Sequence, residues 1–326
     1  MANMLLLGAG ASKPFGYPIT LDFYAKARTS IVQFPLFQRF ESFVSTRNLV
    51  NKVDIEVVLW ELEDLEITLK SFIVDGSFKE WLFFQDGLLG NPNEHRSGVQ
   101  EVSRIRTTIN KLVYETYWGD SFEKSNSSYR KLFRLLGEPL DIFTTNYDLC
   151  LEHVFWDDHV LRDKMSDGFS FDQVDVFWSP TEYEHRPFRL FKLHGSLNWK
   201  TGNNGKILRL NRKDVYDPSA HTMLYPGFKG KPDNEPYKTM HEILSEKLQT
   251  CERCLVIGFS FRDEYLNNIF NSSLAKNKGC EVSICNPVRP TLPVEGNGQV
   301  SYIESPFSED SIPLTPVELF PSSQEP

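Results

Sequence analysis

The chain has 326 residues, 40% of them hydrophobic, with a formal net charge of -9; this suits one large domain, or one domain with an insertion, around a sizeable core. The acidic balance excludes a general nucleic-acid surface, which needs clustered Lys and Arg to displace counterions from phosphate, though a local anion site made of backbone N–H groups stays open. No apolar run approaches the roughly eighteen residues of a membrane span, Leu5-Leu6-Leu7 is too short for a signal core, and five scattered cysteines suit a reducing compartment, so a cytoplasmic protein with no membrane contact is expected.

Met4 to Leu7 reads as a first strand ending in the small-residue turn Gly8-Ala9-Gly10-Ala11-Ser12. Such a turn lets backbone approach a ligand closely, and N–H groups pointing out of it can hold a pyrophosphate. A tight turn with no ligand accounts for the same residues. The dinucleotide fingerprint would need a third glycine where Lys13 stands, and Pro14 and Pro18 stop a helix from starting at once. Thr20 is placed to cap a helix from Leu21, with Asp22 in its first turn.

From residue 31 to 137 helical spacing dominates. Ile55, Val58, Leu59, Leu62 and Leu65 or Glu66 share a face after Asp54, which is placed to cap, while Glu56, Glu61, Glu63 and Asp64 lie on others, which predicts a surface helix with a solvated acidic side. Val102, Ile105, Ile109 and Leu112 repeat the spacing, and Tyr129, Leu132, Phe133 and Leu136 give a shorter helix stopped by Gly137.

Leu140 and Ile142-Phe143 predict a buried strand, handing over through Thr144-Thr145-Asn146 to a helix beginning near Tyr147. The carboxyl end of a strand is where parallel α/β sheets bind ligands, which makes Asn146 a candidate site residue; capping of the next helix by Asn146 or Thr145 is the alternative. His153, on that helix, reads as an ordinary helix residue. A loop-rich stretch runs to Pro187, and Phe188 to Leu193 is a strand that delivers His194 to the same kind of edge, followed by Gly195. Two strands presenting polar residues at one edge favour a functional reading.

Lys206 to Leu210 suggests an edge strand or hairpin, Met223 to Pro226 a short apolar segment, and Tyr237 to Thr250 a helix. Leu255-Val256-Ile257 is a strand ending in Gly258-Phe259-Ser260, Tyr265 to Leu274 a helix, and Glu281 to Cys285 a strand ending in Asn286-Pro287. Cys251 and Cys254 form a lone Cys-x-x-Cys pair with no second pair to complete four ligands, so no metal is expected. The recurrence of strand, polar turn and helix predicts an α/β fold, a doubly wound, mostly parallel Rossmann-like sheet. The organisation expected is an α/β domain of residues 1–30 and 138–305, a helical insertion over 31–137, and a Pro-, Ser- and acid-rich tail over 306–326.

In this order the pieces resemble the sirtuin superfamily, and within it the bacterial sirtuin-like proteins of antiphage defence. The matching residues are Gly8-Ala9-Gly10-Ala11-Ser12 with Gly16-Tyr17-Pro18, Thr144-Thr145-Asn146-Tyr147-Asp148, Lys192-Leu193-His194-Gly195-Ser196-Leu197-Asn198-Trp199, Val256 to Phe261, and Asn286-Pro287. The resemblance implies that Gly8, Ala9, Gly10 and Ser12, with Gly258 and Ser260, hold the phosphates of NAD+, and that Asn286 sits near the adenine ribose. It also implies that Asn146, Asp148 and His194 surround the nicotinamide ribose, and Pro18 and Thr145 fall within the matched binding motifs.

Departures from the deacylase members matter as much. Between His194 and Cys251 there is no cysteine for a zinc ribbon, the Asp-Phe-Arg expected after the loop proline is replaced by Ile19-Thr20-Leu21, and no Phe-Gly-Glu strand follows Trp199. Water is therefore expected as acceptor, making the protein an NAD+ glycohydrolase that takes NAD+ as substrate without a metal. Asn146 would place the water and His194 act as base. The resemblance further implies NAD+ depletion in abortive infection, a homo-oligomer, and control by self-assembly, by a partner such as a DNA-translocase-type ATPase, or by a phage protein. The alternatives are an NAD+- or ADP-ribose-binding regulatory subunit without turnover and, with less support, a protein deacylase.

Overall fold

Met4, Leu5, Leu6 and Leu7 are all buried, and their side chains alternate between two separate cores. That pattern is what a strand needs when both faces of its sheet are covered. The computed structural model describes residues 3–47, 54–75, 95–118, 122–172, 175–184, 186–202, 205–210, 223, 232–290, 300–308 and 319–320. Among them, β1 (Asn3–Leu7) lies at the centre of a seven-stranded sheet with β2 (Leu140–Thr144), β3 (Met165–Ser166), β6 (Phe188–Lys192), β9 (Arg253–Ile257), β10 (Glu281–Cys285) and β11 (Val300–Ile303), in the order β11-β10-β9-β1-β2-β6-β3. Every pair in it is parallel. The expected doubly wound α/β sheet is present.

Helices cover both faces. Four helices, α5 (Phe122–Leu136), α6 (Cys150–Asp157), α7 (Tyr237–Thr250) and α8 (Glu264–Leu274), accompany this sheet. Tyr129, Leu132, Phe133 and Leu136 of α5 and Leu151, Val154 and Phe155 of α6 join Leu5, Leu7, Ile142 and Leu190 in one core. Met240, Leu244 and Leu248 of α7 and Leu266, Phe270 and Leu274 of α8 join Leu6, Phe143, Phe191 and Val256 in the other. Phe143 and Phe191, neighbours on β2 and β6, stack with centroids 4.6 Å apart, and each buried aromatic of this kind contributes about 2–3 kcal/mol of transfer free energy.

The chain divides into two compact units. The first comprises Met1–Tyr17, Tyr117–Leu224 and Phe228–Pro326 and holds the sheet; the second is built on Pro18–Thr116. The second unit's described residues are helical: α1 (Thr20–Ile31), α2 (Pro35–Arg47), α3 (Ile55–Asp75) and α4 (His95–Tyr117, which ends at the boundary). Asp54 caps α3, its Oδ1 accepting from the N–H groups of Glu56 at 3.0 Å and Val57 at 3.2 Å.

Several local expectations need correction. Thr20 does not cap α1 but is its first residue, and its hydroxyl donates instead to Asp54. The acidic side of α3 is not wholly solvated, because Glu61 and Glu66 are buried and Glu66 is ion-paired with Arg106 of α4. The helix after Asn146 begins at Cys150, not near Tyr147. The stretch read as loop before Pro187 contains β4 (Phe169–Asp172) and β5 (Asp175–Trp178), which pair antiparallel. With β7 (Trp199–Thr201) and β8 (Ile207–Arg209) they form a second sheet of order β4-β5-β8-β7, and the Lys206 to Leu210 segment finds its place there. Leu224 to Pro226 and most of the tail lie outside the described residues; of the tail, Phe307, Leu319 and Phe320 are buried against the Tyr129 core.

Candidate functional site

From β1 the chain builds outward through β2 and β6 on one side and through β9, β10 and β11 on the other, so the switch point of the sheet lies between β1 and β9. In open α/β sheets the crevice beyond the carboxyl ends of such strands is the place where ligands bind. The residues meeting there are Gly8 to Ser12 after β1 and Gly258 to Asp263 after β9, flanked by Asn146 after β2, His194 after β6 and Asn286 after β10.

The glycines have a structural reason that the sequence did not disclose. A Cβ on Gly8 would come 2.6 Å from the Gly258 carbonyl oxygen, and one on Gly10 would come 2.8 Å from the Gly258 Cα. Gly258 itself has φ of 65°, and a Cβ there would overlap the backbone of Gly10 and Ala11. The two loops press backbone to backbone, so glycine is demanded by that contact before any ligand is considered. Most of the turn's donors are also consumed: Gly8 N–H donates to Ile257, Gly10 to Gly258, Ala11 to Gly8 and Ser12 to Ala9. None of the backbone hydrogen bonds among the described residues uses the N–H of Ala9, Phe259 or Ser260, and N–H groups so placed at the switch point are suited to an anion. Ser260 is exposed, and its hydroxyl accepts from Arg262 Nε at 3.2 Å. Asn286 ties the edge together, its Nδ2 donating to the Phe259 carbonyl at 2.8 Å.

Asn146 is 9% exposed. Its Nδ2 donates to the Gly8 carbonyl at 2.9 Å and to Ser12 Oγ at 3.0 Å. A carbonyl can only accept, so this orientation of the amide is fixed. Both amide hydrogens are therefore spent within the protein, and Oδ1, a pure acceptor, is what the residue has left for a ligand. Ser12 passes the restraint on by donating to Asp148 Oδ2 at 2.7 Å, and Asp148 Oδ1 accepts from the Cys150 N–H at 3.0 Å at the start of α6. Ser12 and Asp148 thus brace Asn146. Thr145, half-buried, donates its N–H to the Leu7 carbonyl at 3.0 Å. Pro18 is the first residue of the second unit.

Lys192, quoted in the sequence motif but given no role there, is 2% exposed and ion-paired with Glu152 of α6 at 2.9 Å. Its ammonium also donates to the Asp148 carbonyl, fixing the loop behind Asn146. Burial pushes the Glu152 carboxyl up, with Lys192 opposing the shift. One residue beyond β6 the backbone turns sharply, Gly195 N–H returning to the Lys192 carbonyl at 3.0 Å with Gly195 at φ of 86°. This sets His194, 3% exposed, at the edge beside the loop of Asn146, for Leu193 N–H reaches the Thr144 carbonyl at 2.9 Å and Leu197 N–H reaches the Tyr147 carbonyl at 3.1 Å. His194 Nε2 lies 3.2 Å from Asp263 Oδ2. Three buried atoms on this turn, His194 Nδ1, Ser196 Oγ and Asn198 Oδ1, have no hydrogen-bond partner among the described residues.

Sequence reading found the strand ends but missed Asp263, Lys192 and Glu152. Asp263 had a signal, since an aspartate just before an apolar-periodic run is a helix cap, and its Oδ1 does accept from Leu266 N–H at 2.9 Å. Its second partner, His194, had none. Among the described residues no group of His, Cys, Asp and Glu is arranged to hold a metal ion, and no helix is long and apolar enough to cross a membrane.

Residues 141–285 match the family model of the SIR2-like domain, a span that runs from β2 to the end of β10. No curated protein matches. Among solved structures the chain is similar to a mutant Sir2 homologue in complex with 2′-O-acetyl-ADP-ribose, at 14% identity over 95% of this chain and 88% of that one with a TM-score of 0.45. It is also similar to a Sir2 homologue in complex with NAD, at 13% identity over 95% of this chain and 86% of that one with a TM-score of 0.41.

Proposed function

We propose that this edge binds NAD+ and that the protein hydrolyses the bond between nicotinamide and ribose, releasing nicotinamide and ADP-ribose. The SIR2-like match over residues 141–285 supports the choice of dinucleotide. The observation that carries the chemistry is a pair of polar atoms left over on adjacent strand ends: Asn146 Oδ1, once Nδ2 is committed to Gly8 and Ser12, and His194 Nδ1, buried without a partner.

In this reading the N–H groups of Ala9, Phe259 and Ser260, with Arg262 at the rim, hold the phosphates, and Gly8, Gly10 and Gly258 let the two loops close up. Asn286 holds the β10 end toward the adenine side. A water is the nucleophile. Asn146 Oδ1 accepts one of its hydrogens and orients it, and His194 Nδ1 takes the proton released as the water oxygen joins the ribose carbon. Nicotinamide leaves as a neutral base and needs no proton, so the net reaction gives up one proton, carried off by His194. The setting in antiphage defence, with a homo-oligomer or a translocase-type ATPase as control, rests on the sequence resemblance.

The experiment is incubation of the purified full chain with NAD+ and quantitation of free nicotinamide. Asn146→Ala and His194→Ala should each cost on the order of 10²–10⁴-fold in turnover, and wild-type turnover in either variant removes that residue's role. A second reading, NAD+ binding without turnover, is favoured by the low exposure of both side chains. Calorimetric binding of NAD+ with no nicotinamide released would replace hydrolysis by it.

A further inference from the structure

The β9–α8 loop does more than cover the end of the sheet. Phe261 is the one non-glycine residue with positive φ among those described, at 55°, a conformation that costs an ordinary side chain of order 1 kcal/mol. Two contacts hold it there: Asn267 Nδ2, from the first turns of α8, donates to the Phe261 carbonyl at 2.6 Å, and the ring packs edge-on against Phe259 and Phe270. The kink aims Asp263 back at the end of β6. Its Oδ1 is spent on the Leu266 N–H at the start of α8, and its Oδ2 meets His194 Nε2 at 3.2 Å.

We propose that Asp263 is a positioning residue: it holds His194 in the tautomer with the proton on Nε2, leaving Nδ1 bare to act as the proton acceptor. A carboxylate whose other oxygen caps a helix can only accept, so the nitrogen facing it must be N–H. The opposite nitrogen is the buried one that lacks a partner, which agrees with a lone pair kept for the reaction. The Asp263 carboxyl sits below its usual range: burial pushes it up, and the hydrogen bond from His194, with that from the Leu266 N–H, helps to bring it down. The use of Nδ1 as a base rests on the hydrolase reading above; the pairing and the tautomer do not.

Asp263→Asn is the informative variant. Asparagine also caps helices, so α8 is retained, but with its oxygen on the Leu266 N–H it turns an N–H2 toward His194. Nε2 must then accept, and the proton moves to Nδ1, the wrong tautomer for the proposed base.

Long-range proton–nitrogen correlation spectra of histidine-labelled full chain, with the His194 signal identified by its loss in His194→Gln, read this without any turnover. The wild type should show Nε2–H with bare Nδ1, and Asp263→Asn should show Nδ1–H. With NAD+, Asp263→Asn should lower kcat by 10²–10⁴-fold with KM within a few-fold. A wild-type protein carrying Nδ1–H, or an Asp263→Asn variant with unchanged tautomer and kcat, overturns the proposal. A wild type that releases no nicotinamide defeats the hydrolase reading alone, and the spectra of the wild type still decide the pairing.

Discussion

The side-chain amide of Asn146 donates to the carbonyl of Gly8 at 2.9 Å, so the end of β2 is tied to the turn after β1 at the point where a ligand would enter. Two residues far apart in sequence are locked by a bond with only one possible polarity.

That polarity makes a prediction. Asn146→Asp replaces the donor with an oxygen facing a carbonyl oxygen, in a buried position linked through Ser12 to the Asp148 carboxylate. It should destabilise by on the order of 3 kcal/mol, against about 1–2 kcal/mol for Asn146→Ala. Urea unfolding of the two variants decides the order, and an aspartate variant as stable as the alanine one would mean that Nδ2 is not the atom on Gly8.

The contact between the β1 and β9 loops can be tested at glycine. Gly258→Ala combines a positive φ with overlap onto the backbone of Gly10 and Ala11, and should cost on the order of 3 kcal/mol. At Gly279 a Cβ meets nothing nearer than 3.8 Å, so Gly279→Ala should lie within about 0.5 kcal/mol of wild type. Thermal melts of both in one buffer make the comparison.

Lys192 and Glu152 form an ion pair inside the core. Lys192→Met leaves the Glu152 carboxylate buried without its counter-charge, a loss of about 3–5 kcal/mol. Adding Glu152→Leu should restore much of it, because the unpaired charge is gone. Chemical denaturation of the single and double variants measures the coupling, and additive losses would show that the pair does not act as a unit.

His241 of α7 is buried against the Tyr265 ring, with Nδ1 2.7 Å from the Tyr237 carbonyl and with His194 and Asp263 close enough to act on its charge. Burial lowers its pKa to about 4. The unfolded chain therefore binds a proton near the ordinary value of about 6.5 that the folded chain refuses, and stability falls as pH drops from there toward 4, by about 3 kcal/mol in total. Unfolding free energies at pH 7, 5.5 and 4.5 should show this slope, and His241→Gln should flatten it. The Asp263 carboxyl, held below its usual range, loses its contribution only below that window.

β1, β2, β6, β9 and β10 were legible because each holds a short buried apolar run followed by turn formers, a local property of the chain, whereas the edge strands β3, two residues long, and β11, half-buried along its length, carry no such run. β4 and β5 were missed because Phe169 to Asp172 and Asp175 to Trp178 mix aromatic and polar residues over only four positions each, too few for a period to stand out. Glu61, on the side expected to be solvated, is buried, because a helical wheel tells which residues share a face but not what another helix brings to it.

The sequence by itself determined that polar residues arrive at the ends of parallel strands, since alternation of apolar strand and small or polar turn is written in consecutive residues. Only the tertiary structure decided what those residues do to one another: that Gly8, Gly10 and Gly258 serve a backbone contact, that Asn146 has spent its hydrogens, and that Asp263 faces His194. Each of these is a pairing between strand ends brought side by side by the sheet, and the free energy of a hydrogen bond depends on tenths of an ångström and on direction, which no spacing along the chain encodes.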